Sequence, residues 1–561
     1  MSDRLTYIIA GILLALMFVL AVLSMKDDSC TMDELAHLPA GYSYLTQKDM
    51  RLNPEHPPLI KDLAAIPLLF IEGINFPLQI KSWTQDINGQ WDFGHYFLYQ
   101  TGNPTDKMLF WARIPMVLLL LLLGFYVFCW ARELGGNKAG LLALFLFSFS
   151  PTFLAHGRLV TTDVGAAAGV FIGLYYFIRA LKTPTKKNII LAGIFFGFAE
   201  LLKFSVILLV PLFMFLAFIY WLAKSRKFKE TLKILILTFV IGYLLVGAVY
   251  QYHVWNYPAE RQASDAKIFL APYPQFLQDS LVWVADKPVL RPYAQYFTGL
   301  FMVFNRATGG NTTYFLGEVS NQGWKNYFPV VYAIKEPLAF HVLTLLALLY
   351  AAWSIKKPFK GWFTGHFPEF AMLCFVALYW LSSLTSNLNI GVRHLLPTFP
   401  LVMVLVSLSI TSGLQKINNL PLKKIITSLV AILLAWQIIS VFNVFPFFLA
   451  YFNELVGGPQ YSYLYVADSN LDWGQDLKRL AKWVGENLPA GRQVKIAYFG
   501  GGDPNYYLQN KIEGFNWQDR QTGWLAISAT LLQTVSDFNW LSQYTPAAKI
   551  GYSIFIYNIP D

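Results

Sequence analysis

Eleven apolar runs of roughly 20 residues each constrain this chain more than any motif in it. They fall at about 5–25, 111–131, 138–155, 160–180, 188–203, 205–223, 232–251, 337–355, 369–386, 394–412 and 425–446. A run of that length, wound as an α-helix, matches the hydrocarbon thickness of a bilayer. Lipid offers no partner to an unpaired backbone amide, so a helix is the form such a run takes. The expected fold class is an α-helical polytopic membrane protein. Only 14% of the 561 residues are charged and 55% are hydrophobic, which leaves too little polar surface for a water-soluble globule. No small-x-small cleavage site follows the first run, so it reads as a retained anchor.

The formal net charge of +10 invites a nucleic-acid partner, but its placement argues against one. Basic residues gather in four short loops: Arg179 to Lys187, Lys224 to Lys229, Lys356 to Lys360 and Lys416 to Lys424. Counting the runs as alternating crossings puts all four loops on one side, the pattern of cytoplasmic loops. The expected location is the plasma (inner) membrane, multi-pass, with a cytoplasmic N-terminus. An odd number of crossings then puts the C-terminus outside. Cys30, Cys129 and Cys374 are too scattered to form a disulfide framework.

This count divides the chain into a membrane domain, residues 1–446, and a C-terminal domain, residues 447–561. The membrane domain carries two long outer loops, 26–110 and 252–336. Hydropathy drops after residue 446. Lys495–Phe499 and Trp524–Ser528 read as buried strands and Asp476–Val484 as a helix, so a soluble extracytoplasmic α/β domain is expected. Gly500-Gly501-Gly502-Asp503 reads as a plain turn, not a dinucleotide fingerprint.

Polar residues that suit chemistry collect on the outer side. Asp33 and Glu34 follow the first run in Thr31-Met32-Asp33-Glu34, which also fits a capping box at a helix start. A carboxylate fixed there suits a general base. Glu55 and His56 lie in Asn53-Pro54-Glu55-His56-Pro57-Pro58-Leu59. Arg158 and Asp163 stand at the edge of the fourth run, where Arg158 can reach headgroups and Asp163 can cap the helix or help bind phosphate. Lys203 lies three residues after Glu200, a spacing that suits an internal ion pair or a contact to a lipid phosphate. Arg393 and His394, in Gly391-Val392-Arg393-His394, give the strongest phosphate candidate, because a guanidinium binds phosphate through two nitrogens. No His-x-x-x-His or Cys-x-x-Cys spacing supports a metal, and none is expected.

In combination, these motifs resemble the bacterial branch of glycosyltransferase family 39, the protein O-mannosyltransferase-like group of the GT-C superfamily. The carriers are Asp33-Glu34, Glu55-His56-Pro57-Pro58-Leu59, Asp163 and Gly391-Val392-Arg393-His394. Leu316-Gly317-Glu318, Tyr327-Phe328-Pro329 and Asp472-Trp473-Gly474-Gln475-Asp476-Leu477 add to the likeness. The resemblance implies a GT-C fold with about eleven transmembrane helices and an inverting glycosyltransferase that needs no cofactor. The donor would be a polyprenyl-phosphate-linked sugar, and the acceptor a hydroxyl of a protein, lipid or envelope glycan. Asp33 would be the catalytic base. Glu34, Glu55, His56, Arg158, Asp163, Lys203, Arg393 and His394 would line the substrate site. Two departures stand out. Lipid A aminoarabinose transferases carry Lys where this chain has His56, and the 252–336 loop is too short for the β-trefoil of eukaryotic protein mannosyltransferases. The alternative reading is a flippase for a lipid-linked sugar, which would place its ionisable groups near the bilayer midplane.

Overall fold

The computed structural model describes residues 1–224, 227–354, 363, 365–489 and 491–560. Parts of two basic loops, Ser225 and Arg226 and the segment Lys356 to Lys360, lie outside the described residues. Each of the eleven apolar runs overlaps a helix. Eight helices among the described residues are long and apolar enough to cross a membrane, or up to nine if a bent pair counts as one span. The difference from eleven has local causes. The runs at 111–131 and 138–155 join in one helix, Thr105–Ser148, broken where Gly136 takes φ +79°. At about 1.5 Å per residue that helix is long enough for two crossings. The run at 188–203 is helical only over Lys186–Glu200, which is short for a crossing. The run at 337–355 forms Leu338–Ser354, bent by 110° from Tyr327–Lys335. Pro337 sits at that bend, where it can neither donate a helical bond nor let Glu336 stay helical.

Thr162–Lys182 is the central helix, with 83% of its apolar window buried. Its first turns run Gly165-Ala166-Ala167-Ala168-Gly169. Small residues let a neighbouring backbone come close, and a Cβ at Gly169 would meet Ala199 of the helix Lys186–Glu200 at 3.0 Å. The tight packing holds the N-terminus of the central helix, with Asp163 in its first turn. The chain then breaks at Lys203, in extended conformation (φ −162°, ψ 139°), before a 3₁₀ turn at Phe204–Leu208.

The first long loop begins with the helix Met32–Gln47. Thr31 and Glu34 close the capping box that their spacing implies. The C-terminal region carries a five-stranded sheet built from β3 (Val494–Ala497), β4 (Ile512–Glu513), β5 (Gly523–Ser528), β6 (Ala548–Ile550) and β7 (Ile554–Ile559), in the order β4-β3-β5-β7-β6. β3 runs parallel to β4 and β5, and β7 runs antiparallel to β5 and β6. A two-stranded hairpin, β1 (Thr313–Phe315) and β2 (Glu318–Ser320), forms a separate sheet in the second long loop.

The sheet has two apolar faces, as period-two alternation dictates. Ala526, Ile554 and Ile556 pack on the helix Leu477–Asn487, while Leu525, Ile527 and Phe555 join the core of the membrane domain. The C-terminal region therefore shares its core with the helices beside it. The Gly500–Gly502 turn takes part in this seam. A Cβ on Gly501 would collide with the Thr31 carbonyl and meet Leu35 Cβ at 3.0 Å, so only glycine lets the turn lie on the Met32–Gln47 helix. Gly501→Val should lower stability by about 1–3 kcal/mol, read as a drop in Tm of the full chain in detergent.

Candidate active site

Asp33 occupies the first turn of Met32–Gln47, with 22% of its side chain exposed. Its carboxylate faces Arg393, whose Nη1 donates to Asp33 Oδ2 at 2.7 Å and to Asp163 Oδ2 at 3.2 Å. Lys203 Nζ donates to the other Asp163 oxygen at 2.5 Å. Four side chains from four separate elements thus form a row of alternating charge: Asp33, Arg393, Asp163, Lys203. Burial raises the proton affinity of Asp33, but the Arg393 guanidinium and His37 outweigh it and hold the carboxyl below its usual 3.8. Asp33 is ionised at neutral pH.

A cavity of about 210 Å³ opens beside this row. Asp33, His56, Lys203, Arg306, Arg393 and His394 line its polar part. Ile207, Leu208, Val303, Phe304 and Leu388 line the rest. His56 and His394 each bury a ring nitrogen, Nδ1 and Nε2 respectively, with no hydrogen-bond partner among the described residues. Such an atom costs free energy unless something satisfies it. Burial, followed by His37 and Lys61, depresses the His56 pKa well below 6.5, so its imidazole is neutral. Its ring meets that of His37 edge to face at 5.1 Å, and His37 Nδ1 bonds the Val160 carbonyl at 2.9 Å.

Other expected site residues lie elsewhere. Glu34 sits behind Asp33, fully buried, against the Arg113 guanidinium at 2.8 and 2.6 Å. It also accepts from Thr31 N at 3.0 Å and Val160 N at 3.1 Å. Arg158 turns away from the cavity and forms a buried pair with Asp28, which also binds Arg479 at 2.7 Å. Glu55 is set at the rim, accepting from Gln90 at 3.1 Å and Arg306 at 3.4 Å. Glu200 does not pair with Lys203: it accepts from Tyr296 Oη at 2.6 Å, because the chain break at residues 201–203 carries Lys203 round to Asp163. Sequence reasoning missed Arg113, Asp28, Arg306, Ser469 and Trp473. Arg113 alone left a signal, as an arginine inside a long apolar helix. Among the described residues, no three His, Cys, Asp or Glu side chains gather as metal ligands.

The Archaeoglobus fulgidus oligosaccharyltransferase in its apo form superposes on 100% of this chain and 75% of its own length, with TM-score 0.51 and 13% identity. The same protein tethered to an acceptor peptide matches 97% and 72%, with TM-score 0.51 and 12% identity. ArnT from Cupriavidus metallidurans bound to undecaprenyl phosphate is matched over 99% of this chain and 98% of its own, with TM-score 0.47 and 11% identity. No curated protein matches the chain in sequence. The chain has the GT-C fold that its motifs implied. Residues 105–253 match the family described as dolichyl-phosphate-mannose-protein mannosyltransferase, and that match favours a transferase over a flippase.

Glu34 and Asp33, adjacent in sequence, should respond differently to substitution. Glu34→Ala strands a buried guanidinium and should cost about 3–5 kcal/mol, read as loss of Tm and folded yield. Asp33→Asn leaves Arg393 paired with Asp163 and should retain a cooperative melt. Arg113 also overcomes the effect of burial on Glu34 and lowers its carboxyl below the usual 4.5. The stabilisation from Glu34 should therefore be complete above pH 4.5 and fade as the pH falls through its folded-state value, as melts across an acid series can check.

Proposed function

We propose that this protein transfers a sugar from a polyprenyl-phosphate donor to an acceptor hydroxyl on the outer face of the membrane, with inversion at the anomeric carbon. The observation that carries this reading is the cavity itself, with one ionised carboxylate beside Arg393 and Lys203 at its polar part and an apolar wall beyond. A lipid phosphate needs both surfaces. The acceptor oxygen attacks the anomeric carbon, its proton passes to Asp33, and the bond from that carbon to the phosphate oxygen breaks with its electron pair on the leaving polyprenyl phosphate. Arg393 and Lys203 stabilise the charge that develops there, while His56 offers a neutral imidazole and His394 its unpartnered Nε2 to the phosphate or the sugar hydroxyls. The anionic donor competes with Asp33 for Arg393, which loosens the pair and frees the base once donor is bound. No cofactor enters this scheme, and the acceptor is the hydroxyl of a protein, lipid or envelope glycan. In this reading the basic loops face the cytoplasm, as positive charge in short loops favours, and the cavity and C-terminal region face outward.

The test is donor consumption by the purified chain in detergent, with polyprenyl-phosphate mannose, glucose and aminoarabinose offered separately. Release of free polyprenyl phosphate by the wild type, reduced about 10²–10⁴-fold in Asp33→Asn, is the expected result. Undiminished release from a folded Asp33→Asn variant removes Asp33 from the chemistry. Arg393→Ala should raise the donor KM more than the acceptor KM, and equal effects on both contradict a donor-phosphate role. Because Asp33 is held below pKa 3.8, its protonation should leave kcat/KM unchanged between about pH 5 and 7.

A further inference from the structure

The row of charges depends on a stretch of chain far from it in sequence. Ser469 Oγ accepts from Arg393 Nε at 3.1 Å and donates to the Ile390 carbonyl, so a single hydroxyl ties the guanidinium to its own backbone. The Trp473 ring, 1% exposed, lies under the same guanidinium with Arg393 Cζ 4.2 Å from its centroid. Asn470 Oδ1 accepts from Val392 N at 2.9 Å, and its amide donates to the Tyr327 hydroxyl at 2.9 Å. Gly391 leaves room for this approach, since a Cβ there would run into Ser469 Oγ.

The same stretch also grips the other half of the pair. The Trp473 carbonyl accepts from Met32 N at 3.0 Å, and the Gln475 carbonyl accepts from Ser29 N at 2.9 Å. Ser29 Oγ donates to the Gly474 carbonyl at 2.7 Å and accepts from Leu477 N at 3.0 Å. Asp33 follows Met32 directly, so its helix begins on this segment.

We propose that residues 468–477 are the template that sets Asp33 and Arg393 against each other, with Ser469 and Trp473 as positioning residues of the Arg393 guanidinium. This rests on the transferase reading above. It adds that the segment after the last span governs recognition of the donor phosphate through Arg393 rather than by touching donor. Ser469 fixes rotation about the Cδ–Nε bond, and the indole face fixes the plane in which the guanidinium lies. A guanidinium held at both points presents its remaining edge to the cavity in one orientation.

The experiment measures binding of a short-chain polyprenyl phosphate to the full chain in detergent, for wild type, Ser469→Ala, Arg393→Ala and the double variant. Ser469→Thr is the control that keeps the hydroxyl. Ser469→Ala should weaken binding about tenfold, with Ser469→Thr near wild type. In the Arg393→Ala background Ser469→Ala should add nothing, because its effect runs through the missing side chain. Trp473→Leu and Trp473→Phe repeat the comparison should Ser469→Ala fail to fold, and the phenyl ring should preserve binding better than leucine. Penalties that multiply in the double variant overturn the template while leaving the transferase reading standing. A folded wild type that binds no polyprenyl phosphate overturns both.

Discussion

The buried pair between Glu34 and Arg113 is the constraint on which the site depends. Arg113 enters the protein from the long helix Thr105–Ser148, and in hydrocarbon its charge has no stable alternative to a fixed anion. Glu34 supplies that anion and uses its remaining lone pairs on Thr31 N and Val160 N. One carboxylate thus ties the first-loop helix to a membrane helix, to its own N-cap and to the turn before the central helix. With Glu34 pinned on one side of that first turn, Asp33 must emerge on another, towards Arg393. Two adjacent acids take opposite roles because successive helical residues point about 100° apart.

The alternating row from Asp33 to Lys203 resolves a problem of charge storage. On the proposed reading two cations receive a lipid phosphate, yet two unpaired cations side by side would repel each other. Asp163, buried between Arg393 and Lys203, pairs with both, and with Asp33 it balances their charge while each cation still lines the cavity. It also stands in the first turn of the central helix, where the helix dipole favours a carboxylate. The cations are therefore held by a fully buried anion, beside a second, partly exposed anion, Asp33, that under the proposed mechanism a donor displaces from its partner.

Much of this was legible in residue types and little of it in residue geometry. Asp33, His56, Asp163, Lys203, Arg393 and His394 stood out as polar groups beside apolar runs, and they meet around one cavity or its row of charges. Arg158 stood out for the same reason and is committed to Asp28 instead. Glu200 and Lys203 share helical spacing, but the helix ends between them, and spacing alone does not mark that end. Trp473 was quoted only as part of a motif and Ser469 not at all, because a serine and a tryptophan in a loop carry no charge signature.

The sequence alone determined the solvent, the class of fold and the chemical inventory. A bilayer demands apolar helices of about one length, and that demand is written in every crossing as a contiguous run. It also determined the capping box at Thr31 and Glu34 and the alternation of the C-terminal strands, since both are local rules. Tertiary structure decided which acid anchors and which one faces the cavity, which cations share Asp163, and that the chain after residue 467 completes the site. Those outcomes depend on distances between residues far apart in the chain, 360 positions for Asp33 and Arg393 and 448 for Ser29 and Leu477, and such distances exist only once the helices have packed.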